Sequence, residues 1–131
     1  MVNAMAGVRQ SGTLRALDLW YHVMARHVRG TAPDLTSRQM ALMLEIYLND
    51  QRLHTVRELA ATLNLSKPVV TRALDAMSRH GFVRRKRDEK DRRNVYLHRT
   101  VKGSTYLAEF ADVILEAEQA VDAAPASDAA P

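Results

Sequence analysis

The side chains best suited to chemistry stand together in one run. RRKRDEKDRR, residues 84–93, sets seven bases against three acids and carries +4, the formal net charge of the whole 131-residue chain. The remainder is therefore electrically balanced. A localised positive patch on a neutral body selects a polyanion as partner, nucleic acid ahead of an anionic membrane surface. Asp88, Glu89 and Asp91 interrupt the bases, which suits a hairpin tip held by its own ion pairs rather than a solvated charged loop.

Other chemistry is poorly supplied. The chain has no cysteine, which excludes disulfides, thiolate metal sites and thiol redox sensing and permits a reducing compartment. His22 and His27 point to different sides of a helix, so no metal site is expected. The sequence contains no glycine-rich phosphate loop, no HExxH and no nucleophile elbow, and nothing positive argues for an enzyme or a cofactor. No apolar run reaches the length of a membrane span. MVNAMAGVRQ lacks the apolar core of a secretory signal, so a cytoplasmic location is expected, with residues 1–12 as a flexible leader.

Elements must hold the charged run in place. Leu14, Leu17, Tyr21, Met24 and Val28 recur at helical spacing over residues 13–30, where Gly30 and Pro33 stop the helix. LTSRQM then reads as a capping box of Thr36 and Gln39 with a staple of Leu35 and Met40; the helix it opens buries Met40, Leu44, Tyr47 and Leu48 and ends near Asn49 and Asp50. TVRE repeats the pattern with Thr55 and Glu58, opening a short helix that Asn64 ends in a left-handed turn. Ser66 caps a helix over residues 66–80 that accepts Pro68 in its first turn, buries Val70, Ala73, Leu74 and Met77, and stops at Gly81. Beyond Gly81 the period becomes alternating, and FVRRKR and NVYLHRT read as the strands of a hairpin. Thr100 caps a last helix, 101–121, along which Gly103, Leu107, Phe110, Ile114, Ala117 and Val121 follow a heptad rhythm. Residues 122–131, proline-broken and small, are expected to be disordered.

The fold class that follows is mainly α with a small β-hairpin wing, a winged helix-turn-helix occupying residues 13–121. In such a unit the second helix enters the major groove, which directs Ser66, Lys67, Pro68, Thr71, Arg72 and Asp75 at DNA. Arg72 is the candidate base reader, because a guanidinium grips guanine O6 and N7 with two parallel hydrogen bonds, worth roughly 1–3 kcal/mol of discrimination. Pro68 or Thr71 suits a thymine methyl, and Ser66 with the free amides at the helix start suits a phosphate. Arg79, Arg85, Lys86, Arg87, Lys90, Arg92 and Arg93 complete the expected cationic surface, and Thr55 is expected to contact DNA with them. Taken singly, Arg72, Asp75 and Arg79 are equally well the wet side of an amphipathic helix. Turn, helix and basic hairpin in this order favour DNA.

DEKDRRNVYLHRTVKG resembles the wing signature of the MarR-type winged-helix regulators, and the similarity runs from about Leu14 to about Ala117. The resemblance implies that Arg93 pairs with Asp75 on the recognition helix, while Arg92 and the tip bases probe the minor groove or its phosphates. It implies a homodimer built from the first and last helices, for which Leu14, Leu17, Tyr21, Leu107, Phe110 and Ile114 are the candidates, bound to a pseudo-palindromic duplex. It departs from the family after residue 121, where relatives continue into a further helix. It also implies a small-molecule effector, for which Trp20, Tyr21, His22, His27 and His54 are the candidate lining; core and rim roles fit those five better, because no spacing among them demands a ligand. The expected function is sequence-specific transcriptional regulation, as a repressor. The alternative is a winged-helix adaptor that binds an acidic protein and ignores duplex sequence.

Overall fold

Every described helix start but the first lies where a side chain replaces a missing backbone acceptor. The computed structural model describes residues 12–49 and 53–123, so the expected leader up to residue 11, Asp50 and the tail beyond residue 123 lie outside the described residues. α1 (Thr13–Arg29) begins after Gly12, whose φ of 88° is left-handed, and stops at Gly30. α2 (Ser37–Leu48) opens on a reciprocal box: Gln39 N–H donates to Thr36 Oγ1 at 3.1 Å, and Thr36 N–H to Gln39 Oε1 at 2.9 Å. β1 (His54–Thr55) runs into α3 (Val56–Leu63), whose cap is Thr55 Oγ1, accepting Glu58 N–H at 3.1 Å. Asn64 then turns left-handed at φ 53°, and Leu65 N–H closes the helix end on Ala60 O at 2.9 Å. α4 (Lys67–Arg79) follows, capped by Ser66 Oγ on Val69 N–H at 3.3 Å.

β2 (Val83–Arg87) and β3 (Val95–Arg99) form the hairpin, and α5 (Val101–Ala123) ends the described chain. The sheet has three strands, ordered β1-β3-β2 and antiparallel throughout. β1 was not foreseen; two residues show no alternation, and only pairing with Leu97 and Tyr96 makes them a strand. The chain divides into two compact units, Pro33–Leu107 and the chain up to Ala32 together with that from Ala108 onward.

In the first unit Leu42, Met43, Ile46, Leu59, Val70, Leu74, Met77, Phe82 and Leu97 are buried, and full burial of each such side chain stabilises by roughly 1.5–3 kcal/mol. A polar knot ties hairpin to helices. Tyr47 Oη donates to Phe82 O at 2.6 Å and accepts Thr100 N–H at 3.0 Å; Thr100 Oγ1 donates to Gly81 O at 2.7 Å and accepts Gly103 N–H at 2.9 Å. Gly103 is thereby mandatory, since a Cβ there would overlap the Tyr47 hydroxyl and the Phe82 carbonyl. Tyr106, missed by the heptad reading, is buried and donates to Pro33 O at 3.0 Å.

In the second unit α1 lies antiparallel to the later turns of α5, shown by ion pairs of Arg15 with Asp122 and of Arg26 with Glu116 and by the rings of His27 and Phe110 at 5.2 Å. Asp122 was expected in a disordered tail; helix and ion pair carry α5 to Ala123 instead. Of the expected stripe on α1, Leu17, Tyr21 and Val28 stay exposed, and the buried residue is Val23.

Candidate nucleic-acid interface

α4 sorts its residues cleanly by side. Val70, Ala73, Leu74 and Met77 are buried, whereas Ser66, Lys67, Pro68, Thr71, Arg72 and Arg79 are exposed. The partition follows from the 3.6-residue period. It presents Arg72 one turn after the helix start, on the polar side, with Thr71 beside it. Thr55 does not belong to this surface. It is buried, paired with Tyr96 in the sheet, and its hydroxyl is committed to the cap of α3.

The wing divides its cations between two faces, because directly opposed residues in an antiparallel pair share a face. Val83, Arg85 and Arg87 lie opposite Arg99, Leu97 and Val95, while Arg84 and Lys86 lie opposite His98 and Tyr96. Val83 and Leu97 are buried, so their face is the inward one. Arg85, on that face, reaches α4 and meets Asp75 Oδ1 at 2.6 Å.

Arg85–Asp75 replaces the expected pairing of Asp75 with Arg93. Arg93 lies in the tip, beyond the last paired residues Arg87 and Val95, and closes on a nearer acid. Its backbone N–H and Nε both donate to Asp91 Oδ1, at 3.2 and 3.1 Å, and a terminal nitrogen donates to Asp91 Oδ2 at 3.3 Å. A carboxylate two residues away forms this turn with little loss of chain freedom.

The rest of the tip is held by hydrogen bonds to its own backbone. Asp88 Oδ1 accepts Lys90 N–H at 3.0 Å, Asn94 N–H donates to Asp91 O at 3.0 Å, and Arg87 Nη1 donates to Arg92 O at 2.6 Å. The Arg93 side chain, then its backbone N–H and then the charge of Arg57, hold the Asp91 carboxyl below the usual carboxylate range. Arg57, exposed in the first turn of α3, was missed; its sole sequence signal is a base beside a cap. Lys86, Lys90 and Arg92 are exposed on or beside this preformed tip.

The expected dimerisation residues are unevenly exposed. Leu17 and Tyr21 on α1 are 50% and 61% open, and Ile114 on α5 is 39% open, whereas Leu14, Leu107 and Phe110 are half-buried. Trp20 at 58%, Val28 at 70% and Leu115 at 56% enlarge the apolar surface of the same two helices.

The five candidate effector-lining residues divide between the two units. His54 is buried, its Nε2 is 2.6 Å from Asn49 O, and it borders a recess of about 240 Å³ with Ile46, Leu53, Leu97, His98 and Arg99. Trp20, Tyr21, His22 and His27 all lie on α1, with His22 Nδ1 engaged to its own helix at Asp18 O, 2.8 Å away. Among the described residues no group of three or more His, Cys, Asp or Glu could hold a metal ion, and no helix is long and apolar enough to cross a membrane.

Helix, turn, helix and latched hairpin occupy one continuous segment, and residues 35–95 match the family model "MarR family". Residues 35–95 belong to the MarR family. The chain is similar to the HTH-type transcriptional repressor YetL of Bacillus subtilis (strain 168), 33% identical over 89 residues, or 68% of this chain and 52% of YetL. It is 40% identical over 52 residues to the HTH-type transcriptional regulator YkoM of the same organism, 40% of this chain and 34% of YkoM. The alignments thus span about half and one third of these relatives. A MepR variant of S. aureus bound to an oligodeoxyribonucleotide shares the fold, with TM-score 0.68, 20% identity, and coverage of 92% of this chain and 83% of that one. The MarR-family assignment and the fold agree with the wing signature read from residues 88–103.

Proposed function

We propose that this chain is a sequence-specific, double-stranded-DNA-binding transcriptional repressor that works as a homodimer on a pseudo-palindromic site. One observation carries the reading: α4 turns Lys67, Pro68, Thr71, Arg72 and Arg79 outward, and a preformed cationic hairpin follows it directly. Arg72 reads guanine in the major groove. Arg92 and Lys90 at the tip engage the minor groove or its phosphates, where a narrow groove concentrates negative potential. Exposed amides at the start of α4, beside Ser66, receive a backbone phosphate.

Dimerisation is supported by the exposed apolar side chains Leu17, Trp20, Tyr21, Val28, Ile114 and Leu115, a surface that water disfavours and a second copy buries. Two-fold pairing spaces the recognition helices about one DNA turn, roughly 34 Å, apart. Repression by occluding a promoter is the simplest consequence of such binding and matches the name of YetL. The place of action is the cytoplasm, and binding alone, without an enzymatic step, accounts for the function.

A random-duplex selection on the purified chain, with its mass measured in solution, tests the reading. Selected sites with inverted symmetry and a doubled mass are expected. Binding that ignores duplex sequence, or that is absent at low salt, would overturn it in favour of the acidic-protein adaptor.

A further inference from the structure

We infer that Arg85 is a positioning residue: it locks the wing to the recognition helix through Asp75 and does not itself bind phosphate. The inference rests on the DNA-binding reading above and deepens it. Arg85 stands at the middle of β2, opposite Leu97, on the inward face of the sheet. Its side chain is 33% exposed, against 82% for Arg93, and its guanidinium is 2.6 Å from Asp75 Oδ1.

Asp75 lies three residues after Arg72, on neighbouring positions of one helix face. A lone carboxylate beside the base reader would repel the phosphates that α4 must approach. Paired with Arg85, it carries a compensated charge and ties the stem of the hairpin to α4. The tip meanwhile closes on itself through Asp91 and Arg93. Stem and tip are thus secured separately, and the spacing between Arg72 in one groove and Arg92 in the next is set by the stem. The family resemblance implies Arg93 as Asp75's partner; the strand register assigns the latch to Arg85, because an inward-facing residue reaches α4 and a tip residue does not.

The test compares Arg85→Gln, Asp75→Asn and the double variant for affinity to the selected duplex, salt dependence and amide spectra of the free protein. Thermal melts confirm that each is folded. The latch predicts that each single variant weakens binding about fivefold, the scale of an exposed ion pair, and that the double variant is no weaker than either. The salt slope stays at the parent value, whereas loss of a phosphate contact lowers it by about 1. In the free protein, Asp75→Asn shifts the amide resonances of Lys86 and Tyr96.

If Asp75→Asn tightens binding to every duplex while Arg85→Gln flattens the salt slope, Arg85 is a phosphate contact and the latch is wrong. Should the parent bind no duplex at all, the DNA reading falls. The latch is then decided by the spectra: undisturbed wing amides in Asp75→Asn overturn it, and shifted ones uphold it.

Discussion

Arg72 and Asp91 show how one charged side chain differs from the next in a run of similar ones. Arg72 is exposed on the polar side of α4, and a bidentate guanidinium contact is lost outright on truncation. Arg72→Ala is expected to relax preference at one base position by roughly 1–3 kcal/mol, visible as a degenerate column in a duplex selection. Arg92→Ala, at the tip, should instead weaken binding to all duplexes and lower the salt slope by about 1. Asp91 acts on its own loop. Its carboxyl is held below the ordinary range, chiefly by the Arg93 side chain, so the closed tip is favoured above the unfolded carboxyl value. That contribution disappears as pH falls through the depressed one. An NMR titration following the Asp91 carboxyl and Arg93 Nε together should show both moving at a pH below that of an unperturbed aspartate. Separate transitions would contradict the closure.

Elements are set by caps at their starts and by glycine where a side chain has no room. The boxes and caps at Thr36, Thr55 and Ser66 were readable because each needs only a hydroxyl and a backbone N–H three residues on. Gly103 is different. Its place in the heptad stripe was visible, but its reason is the Tyr47 hydroxyl and the Phe82 carbonyl, contributed from other elements. Gly103→Ala forces these apart and should destabilise the fold by about 1–3 kcal/mol, measured by denaturant unfolding with an unchanged m-value. β1 has no sequence signature for the same reason. Its two residues are ordered by Leu97 and Tyr96, more than forty positions away.

For the whole molecule, the question is what covers the apolar side chains of α1 and α5. Trp20 and Tyr21 are 58% and 61% exposed in one copy. Pairing of two chains over them predicts that Trp20→Glu with Tyr21→Glu halves the mass in solution and removes binding to a two-half-site duplex, while the melting of Pro33–Leu107 is little changed. A parent chain already monomeric at micromolar concentration would contradict pairing. On the proposed reading both half-sites are needed, because one recognition helix engages too few bases to stand out against non-specific DNA.

Periodicity, caps and turn residues determined by themselves the helices, the hairpin and the outward placement of Arg72, because each depends on residues within one or two turns of one another. Charge clustering likewise located the cationic hairpin. Only tertiary structure decided which acids Arg85 and Arg93 meet, that Thr55 is buried in a sheet, and that Val23 rather than the expected stripe is the buried residue of α1. The physical reason is that an arginine reaches several acids equally well along the chain. Strand register, which turns Arg85 inward and leaves Arg93 in the tip, is what makes one of those pairings geometrically available.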